Sequence, residues 1–179
     1  MKHETDILIQ ELRRQNPAAC QQLIADYGPA VFQTVQRIVA VQEDAEEVCQ
    51  DVFVKAIQAI GSYDRRQATL GTWLKRIAYH ESLNFVRSRR PTVVYMEEHD
   101  ISLDDASDDD TDDEQTIVRL EQAVGMLPPH EQAAITMFYY DNMSLADIAY
   151  VTGSIPSTVG SQLSRIRKKL YRIIKTMQQ

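Results

Sequence analysis

The chain has few of the residues that cross-link small proteins or bind metals. It contains two cysteines, four histidines and one tryptophan, and no run of about 18 apolar residues occurs in its 179 positions. Cys20 and Cys49 lie within helical patterns and have no metal-ligand neighbour at a useful spacing, so we expect reduced thiols. The first residues lack the apolar segment of a secretory signal. We therefore predict a cytoplasmic protein with no membrane-spanning helix, no metal and no cofactor.

Motifs for catalysis are also missing. The sequence has no glycine-rich phosphate loop and no nucleophile beside a general base, and its histidines are scattered. Most clustered carboxylates fall in a segment that we expect to be unfolded, which cannot hold catalytic geometry. An enzyme is therefore disfavoured, and the remaining function classes depend on binding.

Charge is distributed very unevenly along the chain, which carries a net charge of −7. Residues 93–116 hold 11 acidic and no basic residues, whereas residues 154–179 hold six basic and no acidic residues. Because local charge meets phosphate, the negative total does not exclude DNA binding. Residues 93–113 predict a flexible acidic linker between a domain at 1–92 and a domain at 114–179. The linker is either a simple tether or a segment whose carboxylates compete with DNA phosphates for the DNA-binding surfaces.

Helical periodicity dominates both domains, so we predict an all-α fold of two small helical domains. Pro17 and Pro29 suit first helical turns, and Asp44 is a candidate N-cap. The only short β-like run covers residues 92–96. The expected helices cover residues 5–15, 17–27, 29–41, 44–60, 69–89, 115–126 and 129–140, followed by a helix–turn–helix.

The segment from Ser144 to Leu170 carries the signals of that helix–turn–helix. Ser144 and Asp147 have capping-box spacing, Gly153 suits a sharp turn, and Pro156 suits the start of the next helix. On the second helix one face is apolar and the opposite face is polar and basic. The apolar positions are Val159, Leu163, Ile166 and Leu170. This pattern favours a helix that packs on one side and reads DNA on the other. A helical hairpin with a solvated basic face is the plainer alternative.

Three blocks in this order resemble the extracytoplasmic-function group of bacterial sigma-70-type sigma factors. Asp44–Ala56 resembles sigma region 2.2, and Thr72–Ala78 with its continuation to Arg90 resembles regions 2.3 and 2.4. Leu127–Gln132 and the helix–turn–helix resemble region 4. The resemblance covers nearly the whole chain outside the linker.

The resemblance implies a division of labour between the domains. Region 2 would dock on the clamp helices of the largest subunit of core RNA polymerase, then recognise and open the −10 element. Region 4 would dock on the flap of the second-largest subunit and read the −35 element of promoter DNA. An anti-sigma factor is a further implied partner.

The resemblance also assigns roles to particular positions. The implied core-polymerase contacts are Asp44, Glu47, Gln50 and Asp51. Opened DNA needs aromatic rings that replace the lost base stacking and cations that hold its phosphates. The implied −10 contacts are Tyr63, Arg65, Arg66, Trp73, Arg76, His80, Asn84 and Arg87. For Trp73, a place in the apolar core is an equal alternative. The polar and basic face of the recognition helix supplies the implied −35 contacts, namely Thr158, Ser161, Gln162, Arg165, Lys168 and Arg172.

Three positions depart from the family pattern. His80 stands where the family commonly has Asn, Gly160 where it commonly has Lys, and Gln162 where it commonly has Arg. The loss of two cations predicts weaker −35 binding than in a typical relative. The main alternative function is an ordinary helix–turn–helix regulator, which would bind duplex DNA without polymerase but does not explain the Asp44–Ala56 block.

Overall fold

A computed structural model describes residues 2–89 and 114–177, and this part of the chain is entirely helical apart from turns and loops. The N-terminal bundle consists of α1 (Lys2–Arg13), α2 (Pro17–Gln36), α3 (Gln42–Ala59) and α4 (Leu70–Arg89), with a 3-10 turn at Ile60–Ser62. The C-terminal bundle consists of α5 (Glu114–Gly125), α6 (Pro129–Tyr139), α7 (Leu145–Thr152) and α8 (Pro156–Met177). The all-α prediction is confirmed, while the predicted linker and the β-like run lie outside the described residues.

Helix α2 corrects one predicted boundary. Two helices were expected on either side of Gly28, but one helix runs from Pro17 to Gln36 with Pro29 inside it. A proline costs a helix one hydrogen bond and crowds the residue before it. Here that residue is glycine, whose missing side chain relieves the crowding. Val31 and Val35 are then buried on the same face as Leu23, and this packing favours continuation of the helix.

The start of α3 corrects a second prediction, because Asp44 is not its N-cap. The helix begins at Gln42, and the N-cap residue Val41 offers no side-chain hydrogen bond. Glu43 and Asp44 lie in the first turn, where the partial positive charge of the helix terminus favours carboxylates. Asp44 instead accepts hydrogen bonds from Arg89, with both oxygens 2.7 Å from one guanidinium nitrogen.

Apolar residues along α3 and the 3-10 turn that follows it form the centre of the N-terminal bundle. Ala45, Val48, Val52, Ala56 and Ile60 are all buried, and they pack among buried residues of α1, α2 and α4. Burial on one side of α3 leaves its other side for solvent or a partner. The bundle thus holds the polar face of α3 in a fixed orientation.

The helix–turn–helix is built from the local signals that the sequence carries. The Ser144 hydroxyl oxygen accepts a hydrogen bond from the Asp147 backbone N–H at 3.1 Å and caps α7. Gly153 ends α7 with φ of 72°, in the left-handed region where glycine has no steric cost. Helix α8 begins at Pro156, and its predicted apolar seam is buried. These predictions are confirmed.

The two bundles pack against each other through α4 and α7. Ile38 and Tyr79 of the N-terminal bundle join the apolar core of the C-terminal bundle, while Tyr150 of α7 packs on the N-terminal core. One face of α4 is therefore an interface between bundles. Within the described ranges, no helix is both long enough and apolar enough to cross a membrane.

Candidate nucleic-acid interface

The outer side of α3 presents a short polar and acidic face. Glu47, Gln50 and Asp51 are exposed, and they alternate with the buried Val48 and Val52 along the helix. Because the apolar residues fix the rotation of α3, the three polar side chains point away from the bundle together. These three predicted polymerase contacts are therefore accessible to a partner. The fourth, Asp44, is paired with Arg89.

The loop between α3 and α4, residues 63–69, is closed by its own hydrogen bonds. The Tyr63 hydroxyl donates to the Ala68 carbonyl at 3.1 Å from within the core. The Asp64 carboxylate accepts hydrogen bonds from the Arg66 side chain and from the Arg66 backbone N–H at 2.9 Å. These bonds, with the Arg66 charge, lower the pKa of Asp64 to about 2. A loop with such internal restraints holds its outward side chains in a defined place.

Two cations of this loop lie at the surface. Arg65 is paired with Asp6 of α1 at 2.7 Å, and Arg66 is paired with Asp64 at 2.9 Å, yet both guanidinium groups remain well exposed. Exposed ion pairs contribute little net energy, so either cation can exchange its carboxylate for a phosphate at small cost. Arg65 and Arg66 are therefore accessible to nucleic acid in this conformation.

Burial changes the interpretation of two predicted DNA contacts, Tyr63 and Trp73. Both rings are in the N-terminal core, with centroids 5.4 Å apart, and neither offers a face to a base in this conformation. The aromatic and basic composition of residues 63–90 does not distinguish inward from outward rings. Tertiary packing does, because Trp73 lies on the side of α4 that also carries the buried Leu70 and Leu74. These rings support the loop and are not stacking surfaces in this conformation.

The middle of α4 is covered by α7. The Arg76 guanidinium donates a hydrogen bond to the Tyr150 carbonyl and lies 5.0 Å from the centroid of the Tyr150 ring. His80 faces the backbone of Val151, and burial together with the Arg76 charge lowers its pKa. Two predicted −10 contacts, Arg76 and His80, are thus occupied by the C-terminal bundle.

The end of α4 is open on one side. Leu83 and Val86 pack against the core of the C-terminal bundle, whereas Asn84 and Arg87 are exposed, one helical turn apart. An amide and a guanidinium group at this spacing can reach neighbouring polar groups of one ligand. They extend the accessible set of Arg65 and Arg66 to the far end of α4.

An ion-pair cluster between the bundles escaped sequence-based prediction. Asp141, in the turn between α6 and α7, accepts hydrogen bonds from Arg37 and Lys75, each at 2.6 Å. Burial alone would raise the pKa of Asp141, but the hydrogen bonds and charges of Arg37 and Lys75 lower it below its ordinary value. The partners lie 104 and 66 residues away in sequence, so no local pattern indicates them.

The recognition helix α8 presents the predicted polar face to solvent. Thr158, Ser161, Arg165 and Lys168 are exposed, while Gln162 and Arg172 are half-buried on its flanks. Burial of the apolar seam fixes this orientation, as the sequence predicts. The face carries hydroxyl, amide and basic groups and no carboxylate, which suits the edges of bases and phosphates in a DNA groove.

Gly160 lies beside that face on α8. A methyl group added there would meet the Leu145 Cδ1 atom at 3.8 Å, which is an ordinary contact. Backbone shape therefore does not require glycine at this position. In the described ranges, no group of three His, Cys, Asp or Glu side chains is arranged to hold a metal ion.

Comparisons with known proteins give matches over both bundles. A family model described as sigma-70 region 2 matches residues 23–92, and one described as sigma-70 region 4 matches residues 117–170. The RNA polymerase sigma-H factor of Pseudomonas aeruginosa is 27% identical, over 95% of this chain and 93% of that protein. The ECF RNA polymerase sigma-E factor of Escherichia coli is 26% identical, over 92% and 91% of the two chains.

A solved structure has a similar fold. It contains the sigma factor RpoE of Bartonella quintana in complex with the anti-sigma factor NepR. The similarity covers 87% of this chain and 96% of that chain, with a TM-score of 0.62 and 23% identity. The helical architecture is therefore shared across most of both chains.

Proposed function

Since this chain belongs to the extracytoplasmic-function group of sigma-70-type sigma factors, which bind core RNA polymerase and direct it to specific promoters, we propose how its two bundles divide those tasks. Residues 1–92 act as region 2, residues 114–179 act as region 4, and residues 93–113 connect them. The chain contributes recognition and positioning, carries no catalytic activity of its own, and acts in the cytoplasm.

Polymerase docking is assigned to the polar face of α3. Glu47, Gln50 and Asp51 are exposed together, and short acidic and amide groups suit a basic partner surface. Asp44 contributes at the edge of this face through its pair with Arg89. We place the clamp helices of the largest polymerase subunit on this face, and the flap of the second-largest subunit on region 4.

Recognition of the −10 element is assigned to the 63–69 loop and to α4. Arg65, Arg66, Asn84 and Arg87 are accessible at once, whereas Arg76 and His80 become accessible only when α7 moves away. Tyr63 and Trp73 support the loop from within the core. Opened DNA would therefore contact the two ends of this surface before its middle.

Recognition of the −35 element is assigned to the exposed face of α8. Thr158, Ser161, Arg165 and Lys168 point outward, with Gln162 and Arg172 on the flanks. The observation that supports the whole proposal is that the docking face of α3 and the DNA-reading face of α8 are both open at once. An anti-sigma factor is a further proposed partner, supported by the complex in which the similar RpoE protein was solved.

Reconstituted transcription tests this function. The purified chain is added to bacterial core polymerase with fragmented genomic DNA from the same source, and new transcripts are mapped. We expect discrete start sites that disappear when Gln50 and Asp51 are both changed to Ala. The matched control is Gln22→Ala, which removes an exposed amide from α2 and leaves the proposed docking face of α3 intact.

Two results would oppose the proposal. Unaltered transcription by the Gln50→Ala/Asp51→Ala variant would remove polymerase docking from α3. Specific duplex binding by the chain alone, with no polymerase binding and no transcripts, would favour an ordinary helix–turn–helix regulator.

A further inference from the structure

Two cations of the N-terminal bundle converge on a single carboxylate of the C-terminal bundle. Arg37 follows the last turn of α2, and Lys75 lies on α4 next to Arg76. Each donates to a different oxygen of Asp141 at 2.6 Å. The two cationic groups are thus held within a few ångströms of one another by one anion.

This cluster is mostly withdrawn from solvent. The Asp141 side chain is 8% exposed, and those of Arg37 and Lys75 are 21% and 20% exposed. Burial of charge is costly unless each group is paired, and Asp141 meets that need while the bundles are packed. Separation of the bundles would expose two adjacent cations to solvent, where their combined charge attracts an anion. Among the described residues, Asp141 is the only carboxylate to which either of them is bonded.

The local backbone holds Asp141 in this position. Its N–H bonds to the Thr136 carbonyl at 3.2 Å, and the following residue, Asn142, adopts φ of 49°. Asparagine tolerates the left-handed region better than most residues. The turn after α6 therefore projects the carboxylate toward α4 while α7 begins its path along α4.

We propose that Arg37 and Lys75 form a binding site for the phosphates of single-stranded DNA, and that Asp141 occupies this site as an intramolecular substitute for phosphate. The inference rests on the proposed function and adds a site to it. A guanidinium fork beside an ammonium group is well suited to a phosphodiester. Arg76 and His80, which are covered by α7, lie next to this site on α4.

Mutual exclusion follows from this arrangement. A strand cannot reach Arg37, Lys75 or Arg76 while Asp141 and Tyr150 are in place, so region 4 blocks the middle of the −10 surface. The docking face of α3 and the reading face of α8 stay exposed in the same state. The closed chain can therefore meet polymerase or duplex DNA while single-strand binding is suppressed.

The test measures single-strand binding by the full-length chain without polymerase. The probe is a fluorescein-labelled oligothymidylate of about 20 nucleotides, long enough for typical single-strand sites. Fluorescence anisotropy gives the Kd of the original chain and of Asp141→Asn. The matched control is Glu131→Gln, which removes one carboxylate from a 3.0 Å pair with Lys169 inside the C-terminal bundle.

Asp141→Asn should tighten binding at least about fivefold, the lower end of typical coupling between linked sites. Its plot of log affinity against log salt should be steeper by about 0.7 for each phosphate that the exposed cations gain. In the original chain Arg37 and Lys75 only exchange the Asp141 carboxylate for a phosphate, so they do not add to the salt dependence. Adding Arg37→Gln or Lys75→Gln to Asp141→Asn should abolish the gain, and Glu131→Gln should leave the Kd unchanged.

Small-angle scattering of the same proteins separates opening from binding. An Asp141→Asn chain with a larger radius of gyration and no gain in DNA affinity would overturn the phosphate site. A gain that survives both double substitutions would also overturn it. If the original chain supports no transcription in the polymerase assay but the DNA-binding results are as expected, the proposed sigma-factor function is rejected. The replacement of Asp141 by DNA phosphate at Arg37 and Lys75 would then still stand.

Discussion

Two glycines of the helix–turn–helix should respond in opposite directions to the same substitution. Gly160 lies inside α8, where its backbone is helical and an added methyl group would meet only Leu145 Cδ1, at 3.8 Å. Gly153 ends α7 with φ of +72°, and an added methyl group would meet nothing within 4 Å. Space is therefore available at both positions, and only the backbone conformation differs.

The magnitudes follow from that difference. Alanine is better than glycine inside a helix by about 1 kcal/mol, so Gly160→Ala should raise the free energy of unfolding by about that amount. At Gly153 the left-handed conformation costs alanine about 1–2 kcal/mol, partly offset by the lower entropy of its unfolded chain. Gly153→Ala should therefore lower the free energy of unfolding by about 1 kcal/mol.

Thermal unfolding followed by circular dichroism measures both effects. A change of 1 kcal/mol moves the Tm by about 2–4 °C in a chain of this size, so the two variants should lie on opposite sides of the original protein. Gly153→Asn is the matched control and should lose less than Gly153→Ala, because asparagine tolerates left-handed dihedrals. Shifts of the same sign for the two alanine variants would refute the assignment of these backbone roles.

Two further predictions concern α4. Ser82 is fully buried and its hydroxyl has no partner among the described residues, so Ser82→Ala should stabilise the chain by about 1 kcal/mol in urea unfolding; a clear loss would show that the hydroxyl is bonded. Burial, then the Arg76 charge, lowers the pKa of His80, outweighing its hydrogen bond to Val151 and the charge of Glu81. The fold thus favours neutral His80. Above about pH 6.5 this preference costs no stability, because His80 is then neutral in the unfolded chain as well. As the pH falls from there toward the lowered pKa, the unfolded chain binds a proton first and the free energy of unfolding decreases. Stability should fall less between pH 7.5 and 5.5 in His80→Asn than in the original chain, and equal losses would contradict this.

Local sequence determined the helix–turn–helix, with its cap, its turn and the buried face of its second helix. Capping by Ser144, the left-handed turn at Gly153 and the seam of α8 depend on residues within one or two helical turns. The energies involved are local, so spacing alone predicts them. The same holds for the polar face of α3 and the reading face of α8, whose exposure follows once the opposite side of each helix is buried.

Predictions were wrong where packing overrode a local preference. Pro29 favours a helix start, but burial of Val31 and Val35 against the core carries α2 through it. Asp44 is a good cap by type, but α3 begins two residues earlier, at Gln42, so that Asp44 lies within the first turn and pairs with the distant Arg89. In both cases a local preference of single residues did not decide where the helix begins.

Only the tertiary structure decided which side chains of α4 are accessible. The sequence predicts a cluster of aromatic and basic groups over residues 63–90. The fold buries Tyr63 and Trp73, covers Arg76 and His80, and leaves Asn84 and Arg87 exposed. The pairing of Asp141 with Arg37 and Lys75 also depends on how the bundles meet. Periodicity determines which face of a helix is apolar, whereas long-range packing determines what covers its polar face, because that choice depends on residues far away in sequence.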